Sequence, residues 1–189
     1  MGVKMVTAEV VTAPEHKYFA PKSMKVFLAG GIQKCIQWQD MVISFFTKME
    51  TELNATYSKL YLMNPRRADW LDRPGEDVRQ IEWEFDMIEK CDLFTMYFAG
   101  GESDQPICMY ELGRNIEVMK KRFPYDWKDR IVITCDASYR RVKDVQIQTR
   151  LATDSQVEVN VVDAAEKSVL DHCRVIKERL KDLNITWTP

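Results

Sequence analysis

A chain of 189 residues with 46% hydrophobic and 30% charged side chains has the size and composition of a single globular domain. Its formal net charge of -2 argues against a broad cationic surface for nucleic acid, and no apolar run reaches the length needed to span a membrane. The five cysteines are scattered and odd in number, with no CxxC pair; this disfavours a disulfide framework or a zinc site and predicts a reducing, cytoplasmic setting.

Residues 1–23 come first. They carry no apolar core of a signal peptide, and residues 3–12, rich in Val and Thr, could pair as a short strand until Ala13-Pro14 and Ala20-Pro21 break it. This stretch is read as an N-terminal arm, either flexible or docked on the body or on a partner subunit. Residues 24–189 are read as one domain.

The domain opens on a strand over 25–31, ending in Ala29-Gly30-Gly31, followed by a helix over about 33–53 with Ile36, Met41, Val42, Phe45, Phe46, Met49 and Leu53 as its core. The glycines allow backbone to approach a ligand, and the helix start beside Gln33 offers unpaired N–H groups to an anion. The segment AGGIQKC is not a GxGxxG fingerprint, so a plain tight turn is an equal reading. Trp38, early in this helix, either packs in the core or lines a base pocket.

A second strand over 58–62 runs into Asn64-Pro65-Arg66-Arg67. Proline ends it, and Arg66 can fork onto a phosphate or carboxylate, or serve only in a solvated loop. Residues 69–75 are loop or one helical turn. A helix over 76–90 follows, with Val78, Ile81, Phe85 and Ile88 as its expected buried stripe. Most of its acids belong to a solvated face. Glu84, between Trp83 and Phe85, is the exception, a carboxylate whose proton burial would retain.

Asp92 opens a third strand, apolar through Phe98, which leads through a polar loop into a helix over 107–121. Pro106 suits the first turn, and Glu111 is expected early enough for the helix dipole to favour its ionised form. Gly113 is expected to permit close approach of a neighbouring element. A fourth strand over 130–135 is followed by the polar segment 136–150, a candidate lid. A fifth strand over 156–162 precedes a closing amphipathic helix over 164–183 with Val169, Cys173, Ile176 and Leu180 on one face. His172, on that helix, is read as surface or satisfied core.

Strands alternating with helices predict an α/β three-layer sandwich around a five-stranded parallel sheet of order 2-1-3-4-5. Its switch point brings the Gly30-Gly31 turn beside the loop before Glu111, with Asn64 and Arg66 flanking. The convergent groups are carboxylates, arginines, amides and aromatics. There is no GxSxG, no metal cluster and no histidine in reach, which disfavours serine hydrolysis and hydride transfer. No cofactor or metal is called for. Paired carboxylates are the usual tools for a glycosidic bond, one at the anomeric carbon and one protonating the leaving group.

The segments VFLAGGI, NPRR, QIEWE, CDLFTMYF, YELGRN and YRRVKDV, in this order, resemble the nucleoside 2-deoxyribosyltransferase-like family over residues 24–162. YELGR is also similar to the deoxynucleoside monophosphate N-glycosidases. The resemblance implies a flavodoxin-like fold and Glu111 as a nucleophile forming a covalent deoxyribosyl intermediate. It implies Glu84 as the acid assisting the base, where the best-known members have Asp, with Asp86 as the fallback. Phe27 stands where members carry a Tyr. Asp104 and Gln105 lie in an enlarged loop, where relatives contact the sugar or phosphate.

Gly30, Gly31, Gln33, Trp38, Asn64, Arg66, Asp86, Asp92, Asp104 and Gln105 are thus the substrate-binding candidates beside Glu84 and Glu111. The expected ligand is a small nucleoside or its 5′-monophosphate, handled by a homo-oligomer, with the sugar passed to another base or to water. A phosphate on Arg66 or on the Gly30-Gly31 turn would favour a nucleotide hydrolase. The alternative of a different class is a non-catalytic nucleotide- or ADP-ribose-type sensing module on the same fold.

Overall fold

In the computed structural model, residues 3–49, 51–54, 57–68 and 73–185 are described. The elements are β1 (Val3–Val6), β2 (Ala8–Thr12), β3 (Ser23–Gly30), α1 (Trp38–Lys48), β4 (Thr51–Asn54), β5 (Lys59–Asn64), α2 (Glu76–Lys90), β6 (Leu93–Phe98), α3 (Pro106–Arg122), a short 3-10 turn (Trp127–Arg130), β7 (Ile131–Asp136), α4 (Val142–Ala152), β8 (Val159–Val162) and α5 (Ala165–Ile185). Six strands form one parallel sheet of order β2-β5-β3-β6-β7-β8.

The expected count of five strands is therefore corrected to six. The five expected strands keep their relative order, and the sixth is β2, from the stretch read as an arm. Val10 aligns with Leu62 and Val11 with Met63, and Val11 is fully buried. Ladder hydrogen bonds and this apolar contact tie the segment to the body. Glu9 adds ion pairs to Lys17 and Lys59.

The long first helix is also corrected. α1 starts only at Trp38, so Gln33 does not stand at a helix start, and it ends at Lys48; Leu53 lies instead in β4, which pairs antiparallel with β1. Local sequence cannot reveal that an N-terminal strand offers pairing partners there, and tertiary contact overrides propensity. Within α1 the deeply buried residues are Trp38, Gln39, Val42 and Phe46, while Ile36 and Met49, expected as core of this helix, lie just outside its ends and are exposed. The predicted loop over 69–75 lies outside the described residues at 69–72.

Strands β6 and β7 are buried along their whole length because helices cover both faces. One core joins Val42 and Phe46 of α1 to Val169, Cys173, Ile176 and Leu180 of α5, the face expected for that helix. The other joins Trp83 and Met87 of α2, Leu112, Ile116 and Met119 of α3 and Val145 of α4.

Of the stripe expected on α2 only Ile88 faces the core. Gln80, Trp83, Met87 and Ile88 are buried, and Val78, Ile81 and Phe85 are exposed. Both sets have helical spacing, so periodicity alone does not choose between them. Trp83 decides, since its large ring packs in the core near Phe27 and its Nε1 donates to the Glu15 carbonyl at 2.7 Å.

Candidate active site

Parallel strands deliver their C-terminal ends to one side of the sheet, and a cavity of about 330 Å³ opens there. β3 supplies Phe27, Ala29 and Gly30, followed by Gly31, Ile32 and Gln33. Pro65 comes from beyond β5, Glu84 from α2, and Ser103, Gln105, Ile107, Cys108 and Glu111 from the loop and helix after β6. A second, outer chamber of about 540 Å³ shares Ile32, Gln33, Pro65, Glu84 and Ile107 with the first and adds Arg67, Asp77, Gln80 and Ile81. Glu84 and Ile107 thus stand where inner and outer space meet, and Glu111 faces the inner space.

Both carboxyls are hard to ionise. Burial raises the pKa of Glu84, and the Gln80 amide, donating to its Oε1 at 2.6 Å, opposes that rise. Glu111 is pushed up to about 7, first by burial and then by the charge of Glu84, with Arg114 pulling the other way. The expectation that the helix dipole would hold Glu111 ionised fails on position. Pro106 begins the helix, so Glu111 sits in the second turn, where the dipole effect has fallen off. Nor is Glu84 sandwiched by two rings, because Phe85 is exposed under the Arg114 guanidinium, 3.9 Å from its centroid.

The glycine turn is closely packed from several sides. A Cβ on Gly30, whose φ is 150°, would strike the Tyr97 carbonyl oxygen and approach Trp38 Cζ2 at 2.7 Å. One on Gly31 would strike the Gln105 amide oxygen and come within 2.6 Å of Cys35 Sγ. Trp38 itself is fully buried against Tyr97 and His172, and its Nε1 donates to the Gly31 carbonyl at 3.0 Å. Its packing reading therefore applies: it supports the turn from behind and does not line the cavity.

Several other candidates do structural work. Arg66 donates through Nε to Gln39 Oε1 at 2.9 Å and through one terminal nitrogen to the carbonyls of Ile32 and Ile36, which shapes the segment after the glycine turn. Asn64 bonds the backbone of Arg66 at both ends of its amide. Asp86 pairs on the surface with Lys90 and His16. Asp92 precedes β6 and so lies at the opposite end of the sheet, where it binds Lys25 through both backbone N–H and ammonium. Asp104 faces Arg140 and Arg141, and Gln105 lines the cavity while clasping Ala99 with both ends of its amide. Gly113 has open space about its Cβ direction, so no element approaches it.

The segment 136–150 is no lid over this cavity. It turns and enters α4, with Tyr139 buried and its hydroxyl donating to the Asp104 carbonyl at 2.6 Å. It braces the enlarged loop instead. Phe27 lines the inner wall with an unreactive ring stacked on Phe94. Sequence reasoning missed Gln80 and Cys108. Cys108 precedes Glu111 by one helical turn, a spacing that could have placed it on the same face. Gln80 stands likewise one turn before Glu84.

No described helix is long and apolar enough to cross a membrane. A comparison with curated proteins finds no match. The family model described as nucleoside 2-deoxyribosyltransferase like matches residues 23–123, from the start of β3 to the end of α3. That span is more than half of the 189 residues and contains both carboxylates of the cavity. The chain belongs to the nucleoside 2-deoxyribosyltransferase-like family.

Proposed function

We propose that this protein is an enzyme that breaks the N-glycosidic bond of a nucleoside, with Glu111 as nucleophile and Glu84 as proton donor. One observation carries the reading: two desolvated carboxyls from different helices converge on one cavity, electrostatically coupled, and no lysine or arginine is among its described lining residues. Such an environment suits an uncharged sugar better than a phosphate dianion, which would sit beside two acids. Arg66, the expected phosphate ligand, already spends its donors on Gln39 and on backbone carbonyls. A nucleoside is therefore the preferred substrate over its monophosphate.

In the step proposed, a Glu111 oxygen bonds to the anomeric carbon as the carbon–nitrogen bond breaks. The bonding pair leaves on the base nitrogen, which takes the Glu84 proton directly or through its ring system. Water, or the ring nitrogen of a second base, then attacks the same carbon, gives its proton to Glu84 and frees Glu111.

The competent form carries one proton between the two acids. Without substrate, the Gln80 hydrogen bond favours that proton on Glu111. A base nitrogen set against Glu84 favours the reverse, because the proton is then hydrogen-bonded at both ends.

Mass spectrometry of the protein quenched during turnover of 2′-deoxynucleosides tests this, with and without an acceptor base. A glycosyl adduct on Glu111, absent in Glu111→Ala, is the expected result. Base release that persists in Glu111→Ala overturns the nucleophile assignment. Ligand binding by wild type without turnover would favour a sensing role.

A further inference from the structure

The outer chamber is lined by a residue with one polar atom, the Gln80 amide oxygen, that the chemistry above does not use. Gln80 is 8% exposed, lies on α2 one turn before Glu84 and lines the outer chamber. Its Nε2 donates to the Pro65 carbonyl at 2.7 Å and to Glu84 Oε1 at 2.6 Å. The Pro65 carbonyl can only accept, so a flipped amide would set oxygen against oxygen, and the orientation is fixed by its partners. The amide oxygen Oε1 is buried and meets no donor among the described residues. A buried acceptor left without a donor is costly and rare in a folded protein, and it calls for an explanation such as a ligand that supplies the donor.

Resting on the glycosidic reading, we infer that Gln80 is a specificity-determining residue that selects bases bearing an exocyclic amine. Glu84, protonated, donates to a ring nitrogen. Gln80 Oε1 accepts from the exocyclic amine that comes next along the same edge. Adenine presents that pair as N7 and the N6 amine, and cytosine as N3 and the N4 amine. Their oxo counterparts, hypoxanthine and uracil, place a carbonyl oxygen against Oε1, where two acceptors repel and neither is satisfied. Ile81, Ile107 and Pro65 give the same chamber apolar walls for the faces of a heterocycle. The Nε2 bond to Pro65 keeps the amide from rotating to suit an oxo base, which turns an otherwise ambivalent glutamine into a one-way reader.

The test is calorimetric titration of the free bases adenine and hypoxanthine, and cytosine and uracil, into wild type, Gln80→Leu and Gln80→Met. Base release from 2′-deoxyadenosine and 2′-deoxyinosine is measured in parallel. In wild type the amino member of each pair is expected to bind at least about tenfold more tightly, and kcat/KM is expected to follow the same order. In both variants the ratio is expected to collapse to within about twofold, through weaker amine binding. Equal or stronger binding of the oxo bases by wild type, a ratio that survives in both variants, or no binding of any of the four bases each overturns the inference. Should both variants melt below the assay temperature, the wild-type ratio alone decides. Absence of base release from wild type sinks the glycosidic reading, whereas the binding ratios judge Gln80 independently.

Discussion

Burial and, after it, the charge of Glu84, on α2, hold a proton on Glu111, on α3, in one cavity. Burial does the larger part and the neighbouring carboxylate adds to it, so the two helices share a titration. Turnover is expected to fall on the alkaline side through about 7, as the last shared proton is lost. Glu84→Gln removes the charge that lifts Glu111 and is expected to move the Glu111 titration down, with a loss of about 10²–10⁴-fold in kcat. Infrared or carboxyl-resolved NMR titration of both proteins checks this. An unmoved Glu111 titration in Glu84→Gln would show that the two groups do not communicate.

The same burial has a cost in stability. Glu111 is raised from 4.5 to about 7, so between those values the folded state holds a proton the unfolded chain has lost. Its favourable contribution is complete below 4.5 and is lost as pH rises through 7. Glu111→Gln, which cannot ionise, is expected to be more stable than wild type at pH 8 by on the order of 3 kcal/mol, and about equal at pH 4.5. Urea unfolding at the two pH values measures the difference. A constant offset between wild type and variant would contradict it.

His172 should control the acid side. It is fully buried on α5, with Nδ1 2.8 Å from the Thr134 hydroxyl and Nε2 without a partner among the described residues, and burial drives its pKa down to about 3. Here the unfolded chain binds the extra proton, so the stability contribution is full above about 6.5 and is lost as pH falls towards 3. The loss is expected to reach about 2 kcal/mol by pH 5. His172→Asn is expected to flatten the slope of unfolding free energy between pH 7 and 5, whatever its effect at neutral pH.

Two glycines should respond oppositely to alanine. At Gly30 a methyl group would collide with the backbone of Tyr97, and φ of 150° disfavours any side chain. Gly30→Ala is expected to cost about 2–4 kcal/mol and to distort the cavity floor. Gly113 is an exposed position inside α3 with open space around it, and Gly113→Ala is expected to stabilise by about 0.5–1 kcal/mol. Thermal melts of the two proteins compare them directly. Equal shifts would refute the steric argument.

What the sequence discloses depends on how local the deciding interaction is. The inner strands announce themselves because a parallel strand covered on both faces must be apolar throughout, as Leu93–Phe98 is. That Glu111 and Glu84 meet at one cavity is legible because their segments carry the family pattern and the cavity lies where parallel strands end. The roles of Arg66, Asn64 and Trp38 are not legible. A guanidinium, an amide or an indole is equally fit for a ligand or for a backbone carbonyl, and the choice is made by carbonyls far along the chain or by the course of the next loop. The exposed set Val78, Ile81 and Phe85 misleads for a related reason. It has the spacing of a core face but lies outside the core, with Ile81 forming wall for the outer chamber.

The docking of Ala8–Thr12 along Lys59–Asn64 has a consequence for handling the protein. β5 is buried from its second residue onward, and without its outer neighbour it would present a row of unpaired amides and carbonyls flanked by Leu60, Leu62 and Met63. Such an open edge is a template for strands of other molecules. Trimming the N-terminus past Thr12 is therefore expected to cause aggregation, with no cavity residue touched. The docked part of the arm is the cover that keeps the sheet to itself.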